Sequence, residues 1–286
     1  MTKTTFIAEV SSNHNNDLNR CIQFIDVASA IGCDAVKFQL FKVDELFAPE
    51  ILKTSQKHRD RANWELSVEF VPALADRCRF AGIEFGCTPF FLDAVEILDP
   101  YVDFFKISSY ELLWDELLAR CAKTGKPVIV STGMAVISEV EHAVDILKSN
   151  GCNNPVLLHC VSNYPTKPDE CNLASIKYMR EKFACDVGWS DHSVQTSVVN
   201  RAVNHWQASH VEFHLDLDKT GSEFAGRHCW LPGEIEPVIH SIREGFIADG
   251  VAEKCFVESE SEERMWRADP KDGLRPLRSV RKMYKG

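Results

Sequence analysis

The sequence lacks any Cys-x-x-Cys pair, any apolar run near the ~20 residues that span a bilayer, any Gly-x-Gly-x-x-Gly turn and any P-loop. Each absence removes a class of function. Without paired cysteines, a zinc ribbon or a thioredoxin-like redox site is excluded. The eleven cysteines stand singly, several inside apolar runs such as Val156-Leu157-Leu158-His159-Cys160, and read as buried reduced thiols. The absence of a long apolar run argues against a membrane span. The start of the chain reaches the carboxylate of Glu9 too soon for a signal peptide, so a cytoplasmic protein is expected. Positive charge is also in deficit, with 32 Lys+Arg against 42 Asp+Glu and a net charge of −10. A nucleic-acid partner is therefore not expected.

What the sequence does contain is alternation. Eight short runs rich in Val, Ile and Phe fall at 6–10, 35–39, 84–88, 104–108, 127–132, 156–160, 186–190 and 210–215. They have the length and composition of buried parallel strands. Between them lie helix-like runs at 17–31, 64–81, 92–98, 112–124, 138–150, 173–183, 193–208 and 234–248. Four of these stop at Gly32, Gly82, Gly125 and Gly151. Eight strand-then-helix repeats in about 250 residues predict a single α/β domain, a closed (β/α)8 TIM barrel over 1–265. The first turn, Ser11-Ser12-Asn13-His14-Asn15-Asn16, lacks the glycines of a dinucleotide-binding sheet. Residues 42–63 read as an extended loop after the second strand, of the kind that serves as a lid or binding loop. The segment 266–286 reads as a basic C-terminal tail, with seven basic and two acidic residues. Its Pro and Gly punctuation at 269–276 predicts a structured turn.

In such a barrel the chemistry sits at the C-terminal ends of the strands. All eight expected strands end in polar groups: Glu9 with Asn13 and His14, Lys37 with Gln39, Thr88, and Lys106 with Ser108, Ser109 and Glu111. The rest end in Ser131 with Thr132, His159 with Ser162 and Tyr164, Ser190 with Asp191 and His192, and Glu212 with His214 and Asp216. Period two places Lys37 with Gln39, Lys106 with Ser108, and Glu212 with His214 on common faces. A buried ammonium needs an anion nearby. Lys37 and Lys106 either pair with Glu9 and Glu111 or face a bound anion, with Thr88, Ser109, Ser131 and Ser190 adding neutral donors. The second arrangement suits a small molecule carrying a phosphate and a carboxylate. His192 and His214, at the ends of adjacent strands, are either two satisfied core histidines or a pair able to ligate a divalent metal. Asp191 and Glu212 are candidate orienters of those rings, and His159 reads as a packed core residue.

These residues lie in motifs that resemble the sialic acid (N-acetylneuraminate) synthase family. The motifs are Ile7-Ala8-Glu9, Asp34-Ala35-Val36-Lys37-Phe38-Gln39, Thr88-Pro89-Phe90 and Lys106-Ile107-Ser108-Ser109. Further along come the run 125–135, the run 158–166 and Gly188-Trp189-Ser190-Asp191-His192-Ser193. They occur in the family's order and cover about 6–240. The resemblance implies a transferase that condenses phosphoenolpyruvate with an acylamino-aldose such as N-acetylmannosamine. The products would be a 2-keto-3-deoxy sugar acid and phosphate, in the setting of surface polysaccharide synthesis. Lys37, Thr88, Lys106, Ser109, Ser131, Ser162 and Ser190 would hold phosphoenolpyruvate. His192 and His214 would bind a divalent metal, typically Mn²⁺. Glu111 would be the acid/base and Glu9 a supporting catalytic carboxylate, while Tyr164 and Asn63 would contact the sugar. A homodimer is expected, as is common in the family.

Three departures accompany the resemblance. The family's C-terminal antifreeze-like domain, which supplies an Arg to the sugar, is expected to be missing. The family's Glu-Lys-His-Phe is Glu212-Phe213-His214-Leu215, and its following Asp-His is Arg227-His228. Arg227 or Arg275 is expected to replace the missing Arg. Two other readings stand beside the first. One is a related synthase using a phosphorylated aldose, served by the basic residues Lys42, Lys53, Lys57, Arg59 and Arg61. The other is a non-catalytic binding descendant.

Overall fold

The computed structural model describes residues 4–284. Lys285, counted in the basic tail, lies outside them. The strands are β1 (Thr5–Glu9), β2 (Ala35–Leu40), β3 (Glu84–Pro89), β4 (Phe104–Ile107), β5 (Val128–Ser131), β6 (Val156–His159), β7 (Val187–Asp191) and β8 (His210–Leu215). Each pairs in parallel with the next, and β1 pairs with β8 to close the (β/α)8 barrel. The contacts divide the chain into two units, Met1–Phe246 and Ile247–Gly286. Among the described residues no helix is long and apolar enough to cross a membrane.

Strand alternation sorts the side chains of the first unit. One face of each strand packs with the surrounding helices into the main core, which includes Phe6, Phe38, Phe85, Phe105, Trp189 and Phe213. The other face points into the barrel. Its lower layer is a separate apolar cluster of Ile7, Ala35, Phe104, Ile129 and Leu158. Gly86 makes room for that layer, because a Cβ there would run into the Phe104 ring. Two residues beyond Ile7, Ala35, Phe104 and Ile129 the same face carries Glu9, Lys37, Lys106 and Ser131, and Glu212 of β8 is buried as they are. Register then sets the neighbours: Glu9 lies beside Lys37 on one side and His214 on the other, and Ser190 lies beside Glu212.

The helices follow the sequence with three differences. The first runs over Leu18–Ala30, with the Asp17 side chain accepting from the Asn19 and Arg20 amides. The expected loop at 42–63 is instead three short helices, Val43–Leu46, Pro49–Thr54 and Gln56–Arg59, followed by a 3-10 turn at Asp60–Trp64. Each spans too few residues to show a readable period. The helix expected from residue 64 begins only at Val71, because Pro72 is tolerated in a first turn and not in a helix interior. A ninth strand, β9 (Cys229–Trp230), was not expected. It pairs with the end of β8, placing Cys229 beside His214. All eleven cysteines are free, and nine of them are buried.

In the second unit the turn at 269–276 is structured as expected. Asp269 accepts from the Lys271 and Arg278 amides at 3.0 and 2.8 Å. The Asp272 carboxylate receives the Arg281 guanidinium at 2.6 and 2.8 Å.

Candidate active site

The strand ends open into a cavity of about 960 Å³. Glu9, Lys37, Gln39, Lys106, Ser109, Glu111, Ser131, Cys160, Tyr164, Ser190, His192, Glu212 and His214 all line it. One wall comes from the short helices after β2, through Phe47, Lys57, His58, Arg61 and Trp64.

Lysines dominate one arc. Lys37 forms an ion pair with Glu9 and donates to Thr88 Oγ1 at 3.0 Å. Lys106 donates to Ser131 Oγ at 2.6 Å and lies 3.6 Å from Glu212. Burial works against charge on both lysines. In Lys37 the Glu9 and Glu212 carboxylates more than offset it, and the pKa is raised. In Lys106 burial prevails, helped by the charge of Lys37, and the pKa is lowered. Burial, together with the neighbouring Glu212, pushes Glu9 upward against the pull of Lys37. Hydroxyls continue the arc. The Gly133 amide donates to Ser109 Oγ at 2.9 Å, and Ser190 Oγ donates to Glu212 at 3.2 Å. Ser162 Oγ is buried with no hydrogen-bond partner. A Cβ at Gly133 would collide with Ser162 Oγ and stand 2.9 Å from Ser109 Oγ, so only glycine lets this turn pass between the two hydroxyls.

Imidazoles dominate the other arc. His192 Nδ1 donates to the Val161 carbonyl at 2.8 Å, which leaves Nε2 with a free lone pair. Burial, then the nearby His214 and His228, pulls the His192 pKa down to about 3, so the ring is neutral and in its ligand form. The His192 and His214 ring centroids are 5.5 Å apart. His214 Nδ1 hydrogen-bonds Glu223 Oε2 at 3.1 Å. Burial disfavours the charged His214 ring, yet Glu223 raises its pKa overall. Burial likewise opposes the Glu223 carboxylate, but the His214 hydrogen bond and the nearby His228 ring hold it well below the usual range. The Tyr164 ring sits over this arc, 4.2 Å from His192 and 4.9 Å from His228, centroid to centroid. Imidazoles beside a carboxylate form a donor set that fits a first-row divalent ion.

Several expected partnerships are distributed differently. Lys37 does pair with Glu9, but the carboxylate near Lys106 is Glu212, not Glu111. Glu111 instead receives the Ser108 hydroxyl, and burial raises its pKa. Asp191 does not orient His192. It accepts from the Trp189 and Trp230 indoles at 3.0 and 2.9 Å and from Ser193 Oγ at 2.6 Å, which locks the turn after β7. His159 is packed, with Nε2 against the Cys171 carbonyl at 2.9 Å. Thr88 reaches the site only through Lys37. Asn63 is exposed and donates to the Asp60 carbonyl at 3.0 Å, so the structure does not bring it to the cavity. Arg227 is exposed, while its neighbours Gly226 and His228 line the cavity. Arg275 is exposed in the second unit. Sequence reasoning missed Glu223 altogether. It sits 11 residues beyond Glu212, in an excursion without period, and only the return through β9 signals its position.

Residues 24–254 match the model of the NeuB family. An uncharacterized protein of Methanocaldococcus jannaschii is 37% identical over 260 residues, covering 90% of this chain and 75% of that protein. The N,N'-diacetyllegionaminic acid synthase of Campylobacter jejuni is 34% identical over 262 residues, covering 85% and 77%. Among solved structures, the N-acetylneuraminic acid (sialic acid) synthetase of Leptospira borgpetersenii, in complex with citrate, superposes with a TM-score of 0.80 at 29% identity. That match covers 92% of this chain and 90% of that one. A closed barrel with these strand-end residues, matched along most of its length, belongs to the NeuB family of sugar-acid synthases.

Proposed function

We propose that this barrel condenses phosphoenolpyruvate with an acylamino-aldose to give a sialic-acid-like 2-keto-3-deoxy sugar acid and phosphate. The observation that carries the reading is the pair of buried strand lysines, Lys37 and Lys106, opening with Ser131 onto one cavity. Two fixed ammonium groups and a row of hydroxyl donors suit the phosphate and carboxylate of phosphoenolpyruvate. Burial and Glu212 push the Glu9 pKa upward against the pull of Lys37, which holds it in an ion pair at the cavity wall.

The chemistry then balances as follows. C3 of phosphoenolpyruvate forms a C–C bond with the sugar aldehyde carbon, and the aldehyde oxygen takes up a proton. Water adds at C2, and the C2–O bond to phosphate breaks. Glu111, with its pKa raised by burial, is placed to accept the proton of that water. His192 and His214 would hold the divalent metal, which when bound acts as a Lewis acid toward the sugar aldehyde. Tyr164 supplies an apolar face beside the imidazoles for the sugar. Lys37, Lys106 and Ser131 hold the donor in one orientation, which converts encounter into a positioned reaction.

The test is phosphate release from phosphoenolpyruvate with Mn²⁺ and a panel of acceptors that includes N-acetylmannosamine and a 2,4-diacetamido-trideoxyhexose. Sugar-dependent phosphate that disappears in His192→Ala is the expected result. Tight phosphoenolpyruvate binding with no phosphate from any acceptor would overturn the reading as a condensing enzyme.

A second reading has one observation in its favour. Of the five basic residues after β2, Lys57 and Arg61 line the cavity. Lys42 pairs with Glu45, and Arg59 is tied to Gln56 and Leu52. Arg61 rests on the Phe47 and Trp64 rings, 5.6 and 5.3 Å from their centroids. Two cations at the cavity wall suit an acceptor that carries a phosphate. A Lys57→Ala/Arg61→Ala variant should then lose affinity for a 6-phosphorylated acceptor by about tenfold. Equal use of both acceptors by wild type and variant would discard this reading.

A further inference from the structure

Beyond the expected His192–His214 pair, the return of the chain after β8 brings new donors to His214. We infer that Glu223 and His228 are themselves metal ligands, completing with His214 a centre that has one carboxylate and at least two imidazoles from this chain. The inference rests on the metal-dependent reading above and specifies which residues hold the ion.

Ligand atoms of His214, Glu223, His228 and Cys229 lie within 4.8 Å of one another. Glu223 Oε2 stands 3.1 Å from His214 Nδ1 and 3.6 Å from His228 Nε2. Donors held about 2.0–2.2 Å from one ion stand about 3–4.3 Å from each other, so these spacings need little adjustment. The His214 and His228 ring centroids are 4.7 Å apart.

Two features set this arrangement apart from a hydrogen-bonded cluster. The first concerns His228. It is 7% exposed, and its Nδ1 is buried with no hydrogen-bond partner. Its Nε2 faces Glu223 at a distance beyond a good hydrogen bond. An ion shared with Glu223 would be held at Nε2, the nitrogen that faces the carboxylate, and would fill that gap while leaving Nδ1 as it is. The second concerns Glu223, whose position is fixed from the rear. Ser11 Oγ donates to its Oε1 at 2.7 Å, and its amide donates to Asn13 Oδ1 at 2.8 Å. One oxygen is thereby anchored while the other is presented to both rings, as in ligating carboxylates that are hydrogen-bonded in turn. Cys229 Sγ already accepts the Asn13 amide at 3.4 Å, and we assign it no role.

A carboxylate in the ligand set adds Coulombic attraction that imidazole ligands alone lack. The full chain, stripped by chelator, would be titrated with Co²⁺ against a chromophoric competitor while the d–d absorption is recorded. Wild type, Glu223→Gln, His228→Asn and the surface control His142→Ala would be compared, each checked for folding by circular dichroism. Both site variants should bind Co²⁺ at least about tenfold more weakly and shift the d–d bands, with the control unchanged. If both folded variants keep wild-type affinity and spectrum while His214→Ala abolishes binding, Glu223 and His228 only position His214 and the inference is overturned. A wild type that binds no Co²⁺ overturns it too. Phosphate release is measured on the same samples. Loss of Co²⁺ in the variants without phosphate from the wild type would keep the inference and reject the condensing reaction.

Discussion

The two arcs of the cavity are assembled differently. In the lysine arc each charge sits on a strand: Glu9 meets Lys37 through register, Lys106 meets Ser131 of the neighbouring strand, and Glu212 approaches Lys106 from across the barrel. In the imidazole arc His214 is on a strand, but Glu223 and His228 come from an irregular excursion that returns along β8. The first arc is held by the barrel itself. The second depends on side-chain and turn contacts, such as Ser11 to Glu223 and Asp191 to two indoles. The comparison teaches that one active site can combine a rigid anion-binding half with a half adjusted by loop sequence. Sequence change in the excursion alters the second half without disturbing barrel closure.

Breaking the lysine arc should have the largest effect. Lys37→Met leaves the Glu9 carboxylate buried and uncompensated, at a cost of about 3–5 kcal/mol read by urea unfolding. Lys37→Met/Glu9→Gln should recover most of that stability and none of the turnover. A single variant within 1 kcal/mol of wild type, roughly the value of an exposed pair, would show that register is not what secures this arc.

Gly133→Ala tests the next tier, because the added methyl meets Ser162 and Ser109. A loss of about 1–3 kcal/mol is expected, with weaker phosphoenolpyruvate binding by calorimetry. Unchanged binding would remove these hydroxyls from the donor site.

Acid should separate the arcs. Burial lowers the pKa of His14, at the end of β1, to about 4, and that of His192 to about 3. Both rings are neutral when folded, whereas the unfolded chain takes up their protons below about pH 6.5. Stability therefore falls as pH drops from 6.5 toward 4, by up to about 1.4 kcal/mol per unit for each group. Denaturation series in which His14→Gln flattens that slope would agree. An unaltered slope would place the acid sensitivity elsewhere. Lys37, with its pKa raised, contributes nothing to this window.

The smallest effect belongs to the surface. His142 and Asp115 are both exposed, with a 2.9 Å contact. His142→Ala should change stability by less than about 0.5 kcal/mol and leave turnover intact. A larger effect would contradict the division between a built site and a solvated exterior.

The eight barrel strands, the polar strand ends and the adjacency of Glu9 to Lys37 were legible in the sequence, because period two and strand adjacency are local or nearly local rules. Elements bounded by strong stops, such as the helix ending at Gly82, could be read as well. Three features could not. The helices after β2 are too short to show a period, although they supply a cavity wall. The partner of Lys106 is Glu212 rather than Glu111, because barrel curvature brings β8 closer than the turn after β4. Glu223 reaches His214 only through the two-residue strand β9.

The sequence by itself therefore determined the barrel, its order of strands and which faces carry charge, since alternating burial is written into neighbouring residues. Tertiary structure alone decided which acid meets which base and which donors surround His214. Those choices depend on distances across the barrel and on where an irregular segment returns, and no local pattern encodes either.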